Sequence, residues 1–176
     1  MQRGSMTRFA RCLVAVGAIA VAVSCNKSPT APSGDGVAFA AQLSPGNEDP
    51  PVANAEFSGS GSASISFSIN RDSGGAITSA TAAIQASLIG FPPGTPLTGA
   101  HIHRGAAGTS GPVVVDSGLM PGEIALMGGT GAFYKAGISV SPALVEEMLN
   151  GPAGFYFHVH SALNASGMAR GQLVRQ

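Results

Sequence analysis

The chain has 176 residues, with nine Lys or Arg against nine Asp or Glu, four His and only 10% charged residues. No basic stripe or arginine cluster runs through it, which excludes the electrostatic footprint of a nucleic-acid binder and charge-driven docking on anionic lipid. Two cysteines, Cys12 and Cys25, both lie before residue 26, so the rest of the chain must hold together without a disulfide.

At the N-terminus Arg3, Arg8 and Arg11 precede an uncharged apolar run from Cys12 to Val23 that ends in Ala22-Val23-Ser24-Cys25. A basic start, a short apolar stretch and small residues at the end are the layout of a secretory signal peptide, assigned to residues 1–24. The run is about a dozen residues, short of the roughly twenty needed to span a bilayer as a helix. It therefore targets the chain for export and does not anchor it.

A small residue followed by cysteine resembles a bacterial lipobox, with Ala22 where leucine is usual. On that reading Cys25 is acylated, becomes the first mature residue and ties the protein to the lipid bilayer. Asn26, where an aspartate would retain the protein at the inner membrane, points to an outer-membrane lipoprotein of the cell envelope, facing the periplasm or the surface. The alternative is an ordinary signal peptide with an incidental cysteine. Residues 25–36 comprise the lipidated cysteine and a stretch rich in Ser, Pro and Gly that buries too little to offset the entropy of ordering, and they are read as a flexible tether. Loss of Arg3, Arg8 and Arg11 leaves six basic residues against nine acidic ones, a net charge near −3.

Residues 37–176 are long enough for one domain with a real core. Val37–Leu43 alternates and ends in Ser44-Pro45-Gly46-Asn47; Ala63–Ile69 puts Ile65, Phe67 and Ile69 on one face. Arg71-Asp72-Ser73-Gly74-Gly75 predicts a hairpin turn into a run from Ala76 to Leu88. Phe91-Pro92-Pro93-Gly94 breaks the chain, and strands are expected over Leu97–Arg104 and Pro112–Asp116, with a Gly-rich loop at 105–111. Ser141 as N-cap, Pro142 at the first helical position and Asn150-Gly151 at the end predict one short helix. Strands over Phe155–Ser161 and Gly171–Arg175 follow. Roughly eight strands and one short helix make an all-β antiparallel β-sandwich or Greek-key barrel.

All four histidines fall in two His-x-His pairs, His101/His103 and His158/His160, each inside a predicted strand. Side chains two apart on a strand share a face, so each pair presents two imidazoles together. Imidazole is a preferred ligand of copper and zinc, and a methionine in the set would add Cu⁺. The competing reading gives the rings hydrogen bonds to the Gly-rich loop, or to Glu48 and Asp116 as supporting carboxylates; a third is solvent exposure by coincidence.

Three further motifs carry a family resemblance. Phe39-x-Ala41-x-Leu43-Ser44-x-Gly46-Asn47-Glu48-x-Pro50-Pro51-Val52, then His101-Ile102-His103-x-Gly105 through Gly111-Pro112-Val113, and finally His158-Val159-His160-Ser161 with Gly167-x-x-Arg170-Gly171-Gln172-Leu173, together resemble the CHRD domain. That domain is named for chordin and occurs in exported bacterial proteins. The resemblance implies an immunoglobulin-like or superoxide-dismutase-like β domain with no catalytic activity to carry over. It makes contact with a protein or glycan partner the analogy, by way of chordin's binding of secreted signals. His158 stands where the family often has asparagine, and Met168-Ala169 where Gly-Glu-Ile-Arg is common, so a role for that glutamate does not transfer.

Two function classes follow: a non-catalytic binding or structural module of the envelope, and a copper- or zinc-binding envelope protein that uses His101, His103, His158 and His160. A superoxide dismutase is disfavoured, because the disulfide cysteines and the further histidine and aspartate ligands of such enzymes are missing. No Gly-x-Ser-x-Gly, His-Glu-x-x-His or Gly-Lys-Ser/Thr motif is present, and Gly59-Ser60-Gly61 precedes a strand where a dinucleotide loop needs a helix. Glu146-Glu147 reads as a solvated helix face. Asn164-Ala165-Ser166 matches a glycosylation sequon that lapses in a bacterium.

Overall fold

The computed structural model describes Met1 and residues 35–176. The expected signal peptide after Met1, the expected acylation site Cys25 and the expected tether up to residue 34 lie outside the described residues. Ten antiparallel strands and one α-helix follow in order: β1 (Asp35–Leu43), β2 (Ser60–Arg71), β3 (Ile77–Ile89), β4 (Thr95–Arg104), β5 (Val113–Asp116), β6 (Ala125–Leu126), β7 (Gly131–Val140), α1 (Pro142–Asn150), β8 (Phe155–Ser161), β9 (Ala169–Gln172) and β10 (Val174–Arg175). One sheet runs β10-β1-β2-β3-β7; the other runs β5-β4-β8-β9, with β6 also paired to β4. The two sheets do not close on themselves, so of the two expected architectures the sandwich is the one formed.

Alternation builds the first sheet. On β2 the odd positions Ala63, Ile65, Phe67 and Ile69 are buried while Ser62, Ser64, Ser66 and Ser68 face out. Its neighbours supply the matching rows: Phe67 lies opposite Val37 and Ala82, and Ile65 opposite Phe39 and Ile84. These rows pack against one another on the buried face, and Phe39 meets Phe67 edge-on at 5.8 Å. The β2–β3 turn closes through Asp72, whose Oδ1 accepts from the backbone N–H groups of Gly74 and Ala76 at 2.9 Å each.

The second sheet contributes Leu97, Ala100 and Ile102 from β4 and Phe155, Phe157 and Val159 from β8 to the same core. Helix α1 is capped as its sequence indicates: the Ser141 hydroxyl accepts from Leu144 N–H at 3.3 Å, Pro142 opens the helix and Gly151 closes it. It buries Val145 and Met148. Glu147 does more than face solvent, because both its oxygens accept from the Arg104 guanidinium, at 2.8 and 2.6 Å.

Most strand ends shift by one to three residues from the sequence reading, and the larger differences lie in β1, β6, β7 and the last strand. Strand β1 begins at Asp35, two residues inside the expected tether, because Asp35 and Gly36 extend the ladder opposite Ile69 and Ser68. Strand β7 has no strict alternation, its pairing with β3 slipping between Ala82 and Ile84, and so it carries a weak period-two signal. Strand β6 is two residues long. The last expected strand, Gly171–Arg175, is split: β9 belongs to the second sheet and β10 to the first, and buried Leu173 marks the crossing between layers.

The alternation on β2 makes a direct test. Phe67→Ala should cost about 3–5 kcal/mol in urea unfolding of the mature domain, while the adjacent Ser66→Ala should stay within about 0.5 kcal/mol. Equal effects at the two positions would contradict the assigned face.

Candidate metal centre

Strands β4 and β8 are neighbours, and their register decides where the histidines meet. Ala100 lies opposite Val159, His101 opposite His158, Ile102 opposite Phe157, His103 opposite Tyr156 and Gly99 opposite His160. Ala100, Ile102, Phe157 and Val159 enter the core, so His101, His103, His158 and His160 all project from the other face. Ring centroids lie 5.0 Å apart for His101–His160, 5.8 Å for His101–His103, 4.2 Å for His158–His160 and 5.0 Å for His103–His158. Gly99 helps to bring them together: a β-carbon there would stand 3.1 Å from Cε1 of His101.

This outward face is itself covered. Strand β8 is buried on both sides, with Tyr156 and His158 only 1% and 4% exposed. Three segments form the cover: the chain after β1 with Glu48, the loop before β5 with Gly111, and the loop after β8 with Ala165 and Gly167. Gly167 passes so close to His158 that a β-carbon would lie 2.0 Å from its Nε2, at a φ of 153°. The last segment is pinned by a buried carboxylate, Glu56, whose Oε2 accepts from the Ser161 hydroxyl at 2.7 Å and from the Asn164 amide. The side chain of Asn164, in the sequon, is thereby engaged.

Carbonyl partners fix the ring tautomers, since a carbonyl only accepts. His103 Nδ1 donates to Gly111 O at 2.9 Å, leaving a lone pair on Nε2; that nitrogen is buried and has no protein partner. His160 Nδ1 donates to Ala165 O at 3.0 Å, which leaves the lone pair on its Nε2. His101 Nδ1 lies 3.1 Å from this Nε2 and so donates to it. Its own Nε2 faces Asp116 Oδ1 at 3.8 Å. His158 is held apart from this chain, its Nε2 donating to Glu48 Oε2 at 3.0 Å inside the protein.

Burial favours the neutral form of His160, His101 and His103. The pKa of His160 is lowered to about 4, mainly by desolvation and then by the neighbouring His158. Those of His101 and His103 are also lowered, again first by desolvation. Asp116 works against the shift at His101, and the Gly111 hydrogen bond against that at His103.

One nitrogen from each of His101, His103 and His160 falls within 4.8 Å of the others. Ligands on a tetrahedral ion with bonds near 2 Å lie roughly 3.3 Å apart. The His101–His160 pair already has that spacing, and a nitrogen of His103 lies within 4.8 Å of both. Met168, the methionine that follows Gly167, is in the hydrophobic core, so the set is all nitrogen and suits Zn²⁺ or Cu²⁺ better than Cu⁺. The four rings share one face, with nitrogens of His101, His103 and His160 close together and His158 paired to Glu48. Glu48 closes over His158 alone, while Asp116 borders His101.

Tyr156 and Arg170 belong to the centre although spacing did not single them out. Tyr156 stacks on His103 with centroids 4.9 Å apart, and its hydroxyl accepts from Gly111 N–H. Arg170 lies over the other face of the group, 4.7 Å from the Tyr156 centroid, and donates to Asn47 O at 2.6 Å and Thr109 O at 3.1 Å. The signal available was Arg170 in the Gly-x-x-Arg-Gly-Gln motif.

The depressed histidine pKa values make the domain sensitive to acid. Between the unfolded value of about 6.5 and the folded value of about 4 for His160, the unfolded chain takes up a proton that the native ring refuses. Stability is therefore complete above about pH 6.5 and falls as the pH drops toward 4. Urea unfolding at pH 7.5 and 4.5 should show the loss, and His160→Asn should reduce it by about 2 kcal/mol or less, since the ring retains some contact with water. An unchanged pH slope in the variant would contradict the assigned burial effect.

No curated relative and no solved structure matches the chain. Residues 39–173 match the family model of the CHRD domain, a span that includes both histidine pairs, Glu48, Tyr156 and Arg170. With well over half its length inside that match, the chain belongs to the CHRD domain family.

Proposed function

We propose that this CHRD protein is an exported, lipid-anchored, non-catalytic module of the bacterial cell envelope that binds one Zn²⁺ or Cu²⁺ ion through His101, His103 and His160. The observation that carries the metal reading is the disposition of the N–H groups. His103 and His160 each spend their single N–H on a backbone carbonyl, and each keeps a lone pair on Nε2. Metal-bound histidines have this arrangement, the second nitrogen held by a carbonyl or carboxylate that fixes the ring. The orphaned lone pair of His103 fits the same reading, because a buried acceptor without a partner costs free energy that a cation removes.

The anchor rests on the N-terminal sequence: Cys25 after Ala22-Val23-Ser24 supplies the acylated residue, and the Ser- and Pro-rich stretch after it supplies reach. Contact with an envelope protein or glycan is compatible with this role, and bound metal would then serve to hold β4 and β8 together beneath the covering loops.

Elemental analysis of the mature domain after loading with ZnCl₂ or CuCl₂ and desalting should give one metal per chain. At a free ion concentration a hundred times Kd the domain should gain about 2.7 kcal/mol, reversed by chelator. His103→Ala and His160→Ala should abolish both effects; no bound metal and an unchanged melt would remove the reading. Independently, the full-length chain made in a Gram-negative host should fractionate with membranes, and Cys25→Ala should release it. A variant that stayed with the membrane would refute acylation at that residue.

A further inference from the structure

We infer that metal binding inverts the tautomer of His101, so that this residue ligates through Nδ1 while His103 and His160 ligate through Nε2, and that Asp116 is the positioning carboxylate that receives the displaced N–H. The inference rests on the metal-binding reading and deepens it.

The argument starts from the 3.1 Å gap between His101 Nδ1 and His160 Nε2. Two imidazole nitrogens this close share either a proton or a cation. In the metal-free chain it is a proton, and His101 must supply it, since the only N–H of His160 is committed to Ala165 O. A metal in the gap takes the lone pair of His160 and needs a lone pair from Nδ1 of His101. A neutral imidazole has one N–H, so the proton leaves Nδ1 and reappears on Nε2 by exchange through solvent. No proton is gained or lost overall; one N–H bond breaks and one forms on the same ring.

The opposite assignment fails on ligand count. If His101 ligated through Nε2, its Nδ1–H would still occupy the Nε2 lone pair of His160. That histidine, whose other nitrogen faces a carbonyl, would then have nothing to offer a metal. Only the Nδ1 assignment frees three nitrogens at once.

Around Nε2 of His101 the structure holds what the inverted tautomer needs. Asp116 is its direct cross-strand partner on β5, with Oδ1 at 3.8 Å, beyond hydrogen-bond range. The carboxylate is already oriented, because the same Oδ1 accepts from Gly118 N–H at 2.8 Å. That bond holds the carboxylate beside the ring, and with the side chain 68% exposed a small shift of Asp116 shortens the contact. The edge of the ring bearing Cε1 and Nε2 lies over Gly99, where a β-carbon would stand 3.1 and 3.5 Å from these atoms, so position 99 leaves that edge uncrowded.

The test is ¹⁵N-NMR of the histidine rings in the mature domain, with ZnCl₂ as the probe, beside zinc affinities for wild type, Asp116→Ala and Asp116→Asn. The expected spectra show His101 protonated at Nδ1 without zinc and at Nε2 with it, the other two rings keeping Nδ1–H throughout. Asp116→Ala should weaken zinc 10- to 100-fold, the usual loss on removing a partner of a ligand, beyond the small drop in the metal-free melt that losing the Gly118 N–H acceptor brings; Asp116→Asn, which retains an acceptor, should recover part of the lost affinity. Zinc binding with His101 attached through Nε2, or at full affinity in Asp116→Ala, overturns the inference and leaves the metal site standing. No zinc binding in the wild type overturns the metal reading itself.

Discussion

The antiparallel register of β4 against β8 is the constraint on which the rest of the site depends. Because Ile102 and Val159 must enter the core, the residues on either side of each must leave it, and a shift of one residue in either strand would exchange the two sets. The hydrophobic core thus fixes the imidazoles, which contribute nothing to it. Pairing His101 with His158 and Gly99 with His160 brings His160 diagonally toward His101, into a space that any side chain at position 99 would narrow.

A cluster of rings on an open sheet face would be solvated and would titrate near its ordinary range. Here the covering segments change the chemistry. Burying His103 and half-burying His101 and His160 removes water from the nitrogens, and the protonated forms become costly. The cover in turn needs its own fastening. Arg170 reaches two carbonyls from one side chain, tying the chain after β1 to the loop before β5, and its stacking on Tyr156 extends the fastening to the ring on which His103 rests. The buried His158–Glu48 pair closes the other side. A buried ionisable pair gains little net stability for its desolvation, so its value is in holding one arrangement.

Much of this was legible in the chain. Strict alternation in β2, the Ser141–Pro142 start of α1 and the turn at Asp72 are local features, and the structure places all three where the residues indicate. The shared face of each histidine pair follows from strand periodicity alone. Which strands become neighbours does not, because period two says nothing about sheet order. The role of the covering segments was hidden for the same reason: Gly111 and Ala165 act through carbonyl oxygens, which every residue possesses, and only tertiary placement makes these two the partners of His103 and His160. Strand β7 was missed because Lys135, Ala136 and Gly137 break the pattern where its ladder slips. The split between β9 and β10 was missed because Leu173 reads as one more strand residue and not as the point where the chain changes sheet.

The absence of cysteine after residue 25 gives the centre a structural meaning beyond its ligands. Without a disulfide the domain fastens the loops over β8 with hydrogen bonds, two of them between buried side chains, His158–Glu48 and Ser161–Glu56. Such a cover is unforgiving, since each orphaned atom inside it carries a desolvation cost. The unpartnered atoms in buried side chains among the described residues are His103 Nε2, His158 Nδ1, Glu48 Oε1 and Arg170 Nη2, and all four belong to this one region. Elsewhere the sandwich satisfies its buried side-chain polar atoms. The strain of polar burial is therefore concentrated where the imidazoles converge, and a cation held by His101, His103 and His160 would relieve it at the His103 nitrogen while linking β4 to β8.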